Sequence, residues 1–266
     1  MIKGGFGATF WLAARLFLHP KSPAAVYKNP VPFILHVYAR LANLWISARG
    51  GDQVCLICGR RGAFGYVAAI SDQTLIRNSL CFGCGSNSRT RTLLFYLKSR
   101  LPNGQLKILD IGPLKSTRLF FRDLDCTYET LDRYGEATYH DDVTDMSSIP
   151  DETYDIIFCV QVLQHISDDL GAMSEIRRIL KPDGVAYVVV HQFPSSDKTR
   201  RSPQASYLGY GFEWLYGEDF RVRLESAGFF ADMISTDKFI SEQDLKRHGL
   251  MAQVLYASRP KATAKS

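Results

Sequence analysis

Short apolar runs, each closed by a turn residue and followed by a helix-length segment, recur from residue 106 onwards. Such runs are typical of parallel strands buried on both faces, because a half-exposed strand would alternate apolar and polar residues. Alternation of strand and helix predicts a parallel sheet joined by crossover helices. The seven predicted strands are 108–111, 127–131, 137–140, 154–160, 185–190, a segment ending near 235, and 252–257. We therefore expect an α/β fold with a Rossmann-like, doubly wound, mostly parallel seven-stranded sheet.

The first 50 residues follow a different pattern. Residues 6–18 are apolar and aromatic apart from Arg15, and residues 33–48 repeat apolar side chains at helical spacing. Six basic residues and no acid precede Gly50, although the net charge of the whole chain is only +5. This composition predicts either an interfacial arm on anionic lipid, or two helices packed on the body of the protein or on a second subunit.

Four of the six cysteines form two Cys-x2-Cys pairs, each followed by glycine, on either side of a hairpin-length spacer. This spacing fits a tetrahedral zinc site with four thiolate ligands. Because cysteine fills all four positions, we expect a structural ion rather than a catalytic one. Two disulfides are the alternative, which a reducing compartment disfavours. The predicted ligands are Cys55, Cys58, Cys81 and Cys84.

Cellular location is predicted from the same features. No stretch reaches the roughly 18 uninterrupted apolar residues that a membrane span needs. Arg15 interrupts the only apolar run that could serve as a secretion signal. We therefore expect a cytoplasmic protein, with peripheral contact between residues 1–50 and the inner face of the membrane as a further option.

The carboxyl ends of the predicted strands carry residues suited to a nucleoside-type ligand. Asp110 and Gly112 close the first strand, and Asp132 follows the second strand 20 residues after that glycine. Glycine lets the backbone approach the ligand closely, and a carboxylate at this separation is where such folds hold ribose hydroxyls. His191, after the fifth strand, is expected at the same edge of the sheet. The alternative for Asp110 and Gly112 is that they merely end a core strand.

Two longer patterns add a resemblance. Tyr154-Asp-Ile-Ile157, a helix closing in Leu-Lys-Pro-Asp-Gly184, and the apolar strand 185–190 follow one another in an order that resembles the class I S-adenosylmethionine-dependent methyltransferases. The cysteine pairs, the phrase 86–94 (Ser-Asn-Ser-Arg-Thr-Arg-Thr-Leu-Leu) and the segment 216–229 resemble, more narrowly, a bacterial zinc-bearing group often met among surface-glycan genes. The resemblance covers about residues 55–257.

The resemblance implies S-adenosyl-L-methionine as cofactor, besides structural Zn²⁺. It assigns Asp110 and Gly112 to the methionine part, Asp132 to the ribose, Asp142 with Val143 to the adenine, and Gln161 to the methyl-transfer side. His165 lies where the family often has a histidine. The first loop has a single glycine, Gly112, where the family usually has three, so a scaffold that no longer binds cofactor is the alternative.

The resulting expectation is O-methylation of a sugar, glycan or other small hydroxyl acceptor, with His191 as first and His165 as second candidate base. Two alternatives remain open: an RNA or protein methyltransferase guided by the zinc module, and a non-catalytic, membrane-associated scaffold. Nucleic acid is not an expected partner, because residues 50–86 carry only a weak basic excess. The predicted units are a helical arm (1–50), a zinc module (51–87), a methyltransferase domain (88–258) and a disordered tail (259–266).

Overall fold

A computed structural model of the chain describes residues 31–48, 50–69, 74–101, 104–192, 196–202 and 212–261. The predicted helix at 6–18 lies outside the described residues. The second predicted helix of the arm is present as α1, Val31–Ser47. No helix in the described part of the chain is long and apolar enough to cross a membrane.

The central sheet contains six strands: β3 (Leu106–Ile111), β4 (Cys126–Leu131), β5 (Tyr154–Val160), β6 (Leu180–Val189), β9 (Phe229–Ser235) and β10 (Val254–Pro260). Their spatial order is β4-β3-β5-β6-β10-β9. The four strands from β4 to β6 pair in parallel, and β10 runs antiparallel to both of its neighbours. The predicted mostly parallel α/β sheet is therefore confirmed.

Two details of the sheet differ from the prediction. The segment 137–140 does not form a full strand but a single parallel bridge, in which Tyr139 pairs with Leu131. The Tyr139 amide donates to the Thr130 carbonyl, and the Asp132 amide donates to the Tyr139 carbonyl. The described sheet thus has six strands, because this short edge segment forms only one bridge to β4. Strand β10 also continues to Pro260, so the segment predicted as a disordered tail begins inside the sheet.

Helices cover both faces of the sheet. On one face, α4 (Asp169–Ile179) and α5 (Phe220–Ser226) pack on inward-facing residues such as Leu109 and Ile157. On the other face, α2 (Ser88–Lys98) and α3 (Lys115–Arg122) pack on Ile108, Ile156 and Phe158. Successive strand residues point to opposite faces, so continuously apolar strands fill both cores at once. This is the doubly wound arrangement that the sequence predicts.

The cysteine module sits on a small hairpin of β1 (Gly65–Ala69) and β2 (Thr74–Leu80). Helix α1 lies against β1, where the Asn43 amide brackets the backbone of Tyr66 with hydrogen bonds of 3.0 and 2.7 Å. On another side the module contacts α6 (Glu242–His248), a helix that the sequence analysis did not predict. The Val54 amide donates to the Arg247 carbonyl at 2.8 Å. The module is therefore held by elements from both ends of the chain.

Candidate functional site

The four predicted metal ligands come together. Their sulfur atoms all lie within 4.8 Å of one another. Cys55 Sγ is 3.7 Å from Cys84 Sγ, and Cys58 Sγ is 3.7 Å from Cys81 Sγ. A tetrahedron with Zn–S distances of about 2.3 Å has S···S edges of about 3.8 Å, whereas a disulfide bond is about 2.05 Å long. The geometry fits a four-thiolate metal site and does not fit the alternative of two disulfides.

Glycine shapes both cysteine turns. Gly59 and Gly85 adopt left-handed backbone angles, with φ of 70° and 74°. Each of their amides donates back to the carbonyl of the first cysteine of its pair, at 2.9 Å. Other residues adopt this conformation at a cost. The glycine that follows each Cys-x2-Cys pair therefore lets the chain turn and bring both sulfur atoms to the same side.

A cavity of about 460 Å³ opens at the carboxyl edge of β3, β4 and β5. Its size falls in the range of about 300–1,000 Å³ that is usual for small-molecule sites. Ligands of open α/β sheets bind at this edge. The lining includes five of the residues predicted to bind cofactor or act as base: Gly112, Asp132, Asp142, Val143 and His165. The fold thus brings together residues from three separate loops.

Gly112 forms the floor of the cavity. Its φ is +69°, and its amide donates to the Leu131 carbonyl at 2.9 Å. A Cβ atom at this position would lie 2.8 Å from Val162 Cγ2, which is too close for a real contact. The single glycine that remains in this loop therefore has both a conformational and a steric reason to be glycine.

Asp132 stands on the cavity wall after β4. Its Oδ1 accepts hydrogen bonds from the amides of Tyr134 and Gly135, at 2.9 and 2.8 Å. These bonds hold the carboxylate in place. Oδ2 has no hydrogen-bond partner within the described ranges, so this atom can accept from a ligand. A carboxylate held in this way suits a ribose hydroxyl.

Asp142 and Val143 form the opposite wall. Asp142 Oδ1 accepts from the amide and hydroxyl of Thr144, and these bonds, with the Arg133 guanidinium next to Oδ2, lower the pKa of the Asp142 carboxyl. Val143 is 5% exposed and supplies an apolar surface. Arg133 and the 89%-exposed Tyr134 also line the cavity. Neither residue was predicted from the sequence, although their position directly after Asp132 pointed to them.

Two predicted cofactor residues do not line the cavity. Asp110 is 2% exposed, and its Oδ2 accepts a hydrogen bond of 2.7 Å from the Tyr128 hydroxyl. Gln161 has its side chain engaged elsewhere: Oε1 accepts from Arg89 Nη1 at 2.9 Å and from Gln164 Nε2 at 3.2 Å. These contacts place both residues in the support of the site, behind its wall.

Asp110 gives the fold a pH dependence. Burial raises the pKa of its carboxyl from 3.8 to about 6. The folded state therefore holds this proton more tightly than the unfolded state, and the associated stability is lost as the pH rises through about 6. Asp110→Asn is neutral throughout this range. Its free energy of unfolding should therefore rise by about 1–2 kcal/mol relative to that of the parent as the pH goes from about 5 to about 7.5. Thermal unfolding of both proteins at the two pH values measures this, and a pH-independent difference would contradict it.

The two candidate bases converge on one aromatic side chain. The Phe212 ring centroid is 5.2 Å from that of His165 and 5.5 Å from that of His191. His165 ends a short 3₁₀ turn after β5, is exposed and lines the cavity. His191 is half-buried and stacks on Phe212 at an interplanar angle of 29°. His165 is therefore the better placed of the two for chemistry in the cavity.

A short hairpin fixes both ends of the segment 196–217 beside these histidines. Strands β7 (Arg200–Arg201) and β8 (Trp214–Leu215) pair with each other. Trp214 Nε1 donates to the Ile166 carbonyl at 3.0 Å, and the Arg201 guanidinium donates to the Ser167 carbonyl at 2.9 Å. The described residues on both sides of 203–211 thus attach to the loop that carries His165.

Comparison with known proteins agrees with this geometry. Residues 80–188 match the family model described as a methyltransferase domain. Ubiquinone biosynthesis O-methyltransferase of Actinobacillus pleuropneumoniae serotype 5b is 33% identical over 54 residues, which are 20% of this chain and 23% of that protein. The protein of the same name in Histophilus somni is 25% identical over 79 residues, 30% of this chain and 32% of that protein. The similarity spans no more than a third of either relative.

Among solved structures, 1,6-didemethyltoxoflavin-N1-methyltransferase of Burkholderia thailandensis, with bound 1,6-didemethyltoxoflavin and S-adenosylhomocysteine, has 15% identity and a TM-score of 0.46. The aligned region covers 64% of this chain and 76% of that protein's chain. The YcgJ protein of Bacillus subtilis has 14% identity and a TM-score of 0.45, and covers 66% of this chain and 100% of its own.

Sheet order and cavity define an α/β domain with a cavity at the carboxyl edge of its parallel strands, where open α/β sheets bind their ligands. Within that class, the family match supports a class I S-adenosylmethionine-dependent methyltransferase, as the sequence predicts.

Proposed function

We propose that this chain is an S-adenosylmethionine-dependent O-methyltransferase that acts on a sugar, a glycan or another small hydroxyl acceptor. One observation carries the proposal: a single cavity unites Gly112, Asp132, Asp142 and Val143 with His165. The first four residues suit a nucleoside cofactor, and the fifth is a base at the acceptor side.

The protein's own residues would hold the cofactor from three sides. Gly112 would allow close approach of the backbone, Asp132 Oδ2 would accept from ribose hydroxyls, and Val143 would pack on the adenine. Asp142 already bonds Thr144 and Arg133, so a carboxylate of fixed position and charge stands beside the ring. S-adenosylmethionine, when bound, supplies an electrophilic methyl group on its sulfonium.

Acceptor chemistry follows from His165. A neutral imidazole would take the proton of the acceptor hydroxyl. At the same time the hydroxyl oxygen would form a bond to the methyl carbon, and the bond between that carbon and sulfur would break. The products are the methyl ether, S-adenosylhomocysteine and a protonated imidazole, which returns its proton to water. An alcohol is a weak nucleophile until its proton is leaving, so a base at this place is needed more for a hydroxyl than for an amine acceptor. The O-methyltransferase names of the curated relatives support the same choice.

Asp132→Ala tests the cofactor site. Loss of two hydrogen bonds to a charged acceptor should weaken S-adenosylmethionine binding by about 100-fold, which corresponds to about 3 kcal/mol. Isothermal titration calorimetry measures this. Asp132→Asn keeps an oxygen for the amides of Tyr134 and Gly135 and should lose less. Glu136→Ala, an exposed acid in the same loop, is the matched control.

The same titration separates the functional alternatives. A parent protein that binds no S-adenosylmethionine would exclude both methyltransferase functions and favour a non-catalytic scaffold. Transfer of a labelled methyl group from the cofactor to a panel of hexoses, nucleotide-linked sugars and catechol tests the acceptor class. Transfer to RNA or to protein, with none to the panel, would instead favour an enzyme guided by the cysteine module.

Helix α1 supports a proposed contact with an anionic membrane. Asn43 faces β1, while Ile34, Tyr38, Leu41 and Leu44 are between 56% and 71% exposed. Ile34 and Leu41 lie on the side of the helix opposite Asn43, and the arm carries no acid to oppose anionic lipid.

Vesicle flotation tests this contact. The full-length protein should float with vesicles that contain about one quarter phosphatidylglycerol and stay behind with pure phosphatidylcholine. Leu41→Glu should reduce its bound fraction, because an ionised carboxylate cannot enter the interface cheaply. Val222→Glu, at an exposed apolar residue of α5, makes the same charge change elsewhere. Equal flotation of Leu41→Glu and the parent would remove the membrane contact.

A further inference from the structure

Helix α2 starts four residues after Cys84 and joins the cysteine module to the sheet. Asn87 caps it, accepting a hydrogen bond of 2.8 Å from the Thr90 amide. Its first turn carries Arg89 and Arg91. Residues two apart on a helix point to different sides, so one arginine reaches into the module and the other towards the sheet edge.

Arg91 belongs to the module. It is 0% exposed, and its guanidinium lies 4.0 Å from the centroid of the Phe64 ring. It donates to backbone carbonyls of Asn78, Ser86, His248 and Gly249.

A buried guanidinium without counter-charge is strongly disfavoured. Arg91 Nη1 donates to Ser86 Oγ at 3.1 Å, and that hydroxyl lies 3.2 Å from Cys84 Sγ. Four thiolates around one divalent ion carry a net negative charge that suits this partner. Arg91 therefore ties the module, α2 and the end of α6 together around the metal site.

Arg89 reaches the other way, to the end of β5. Its Nη1 donates to Gln161 Oε1 at 2.9 Å. Gln161 has φ of +60°, a conformation that a residue with a side chain adopts only when its surroundings hold it there. The backbone amide of Gln161 donates to the Val189 carbonyl at 2.7 Å. The side-chain bond to Arg89 and the backbone bond to β6 together fix this turn.

The next residue carries the effect into the cavity. Val162 lines it and sits so close to Gly112 that no Cβ would fit there. Gln164 is part of the 3₁₀ turn that ends at His165, and its side-chain amide also donates a hydrogen bond to Gln161 Oε1. A shift of Gln161 would therefore move both the floor of the cavity and the candidate base.

We propose that Arg89 is a positioning residue, which transmits the order of the metal-bound cysteine module to the methyl-transfer edge by holding Gln161. The role in methyl transfer rests on the proposed function. The cysteine module is then part of the scaffold of the site and not an independent binding unit.

Hydrogen exchange on the full-length, metal-loaded protein tests this coupling. In Arg89→Ala, amides of residues 161–167 should exchange about tenfold faster, because a hydrogen bond to a charged donor is lost. Arg89→Lys, which keeps one charged donor, should restore much of the protection. Gln161→Ala should reproduce the effect, and the double variant should add nothing further. Lys98→Ala, exposed at the far end of α2, is the control, and metal content should stay at one ion per chain in all of them.

Arg91→Lys tests the connection between the cysteine module and α2. It should speed hydrogen exchange both in the module and in residues 161–167. Unchanged exchange of residues 161–167 in Arg89→Ala, failure of Arg89→Lys to restore protection, or additive effects of Arg89→Ala and Gln161→Ala would overturn the proposal. So would an Arg91→Lys effect confined to the module. Calorimetry with S-adenosylhomocysteine on the same samples keeps the two proposals apart, since a parent that does not bind refutes the enzymatic function alone and leaves the exchange result standing.

Discussion

Cys81→Ser is expected to lose the bound ion and to lower the unfolding temperature by about 10 °C or more. Binding of zinc to structural sites is worth roughly 10–16 kcal/mol in small domains, and loss of even about 3 kcal/mol shifts a domain of this size by about 10 °C. Cys81 is 0% exposed, and its sulfur lies 3.7 Å from that of Cys58. Elemental analysis should find one zinc per chain in the parent and much less in the variant.

Cys126→Ser is the matched control for this experiment. Cys126 is a free, half-buried thiol in β4 that lies outside the four-cysteine cluster. Its substitution should leave metal content unchanged and shift the unfolding temperature by only a few degrees. A parent protein that contains no zinc after purification without chelators, or a Cys81→Ser protein that keeps one ion per chain, would refute the metal site.

His165→Asn is expected to lower kcat for a hydroxyl acceptor by about 100-fold or more, since general-base catalysis contributes typically 10²–10⁴-fold. The affinity for S-adenosylmethionine should change little, because the cofactor contacts come from other loops. Asparagine keeps a polar side chain of similar reach but cannot accept the proton. The variant should also lose the fall in kcat at low pH that protonation of the imidazole causes in the parent.

His191→Asn decides between the two candidate bases. His191 stacks on Phe212 and is absent from the cavity lining, so its substitution should cost several-fold in kcat and leave the shape of the pH profile intact. A larger loss in His191→Asn than in His165→Asn, together with a flattened pH profile, would reverse the two roles. Equal, small losses in both would argue for an acceptor that needs no base.

Much of the site could be predicted from local sequence. Asp132 and Gly112 follow buried strands, and parallel strands in one sheet bring their carboxyl ends to one edge. The resemblance to the methyltransferases added Asp142, Val143 and His165, and all five residues line one cavity. The four cysteines were predictable from spacing alone, because two short turns leave little choice of geometry for their sulfur atoms.

Other features could not be predicted, because a sequence pattern records burial but not the direction of a side chain. Asp110 lies where a ligand contact was expected, yet its carboxylate turns to the Tyr128 hydroxyl inside the fold. Segment 137–140 had the pattern of a strand, but strand pairing depends on a neighbour, and only one bridge to β4 forms. Helix α6 buries no residue and so has no apolar stripe, although Ser241 at its amino end and Gly249 at its carboxyl end are local capping signals.

By itself, the sequence determined the six strands of the central sheet, the clustering of four cysteines and the positions of the loops that form the cavity. All three follow from periodicity and spacing, which are local properties of the chain. Only the tertiary structure decided which side chains meet across long separations. Arg89 bonds Gln161, 72 residues away, and Arg91 bonds the carbonyl of Gly249, 158 residues away. Such pairs leave no local pattern, because their geometry exists only once the sheet, the module and α6 have packed together.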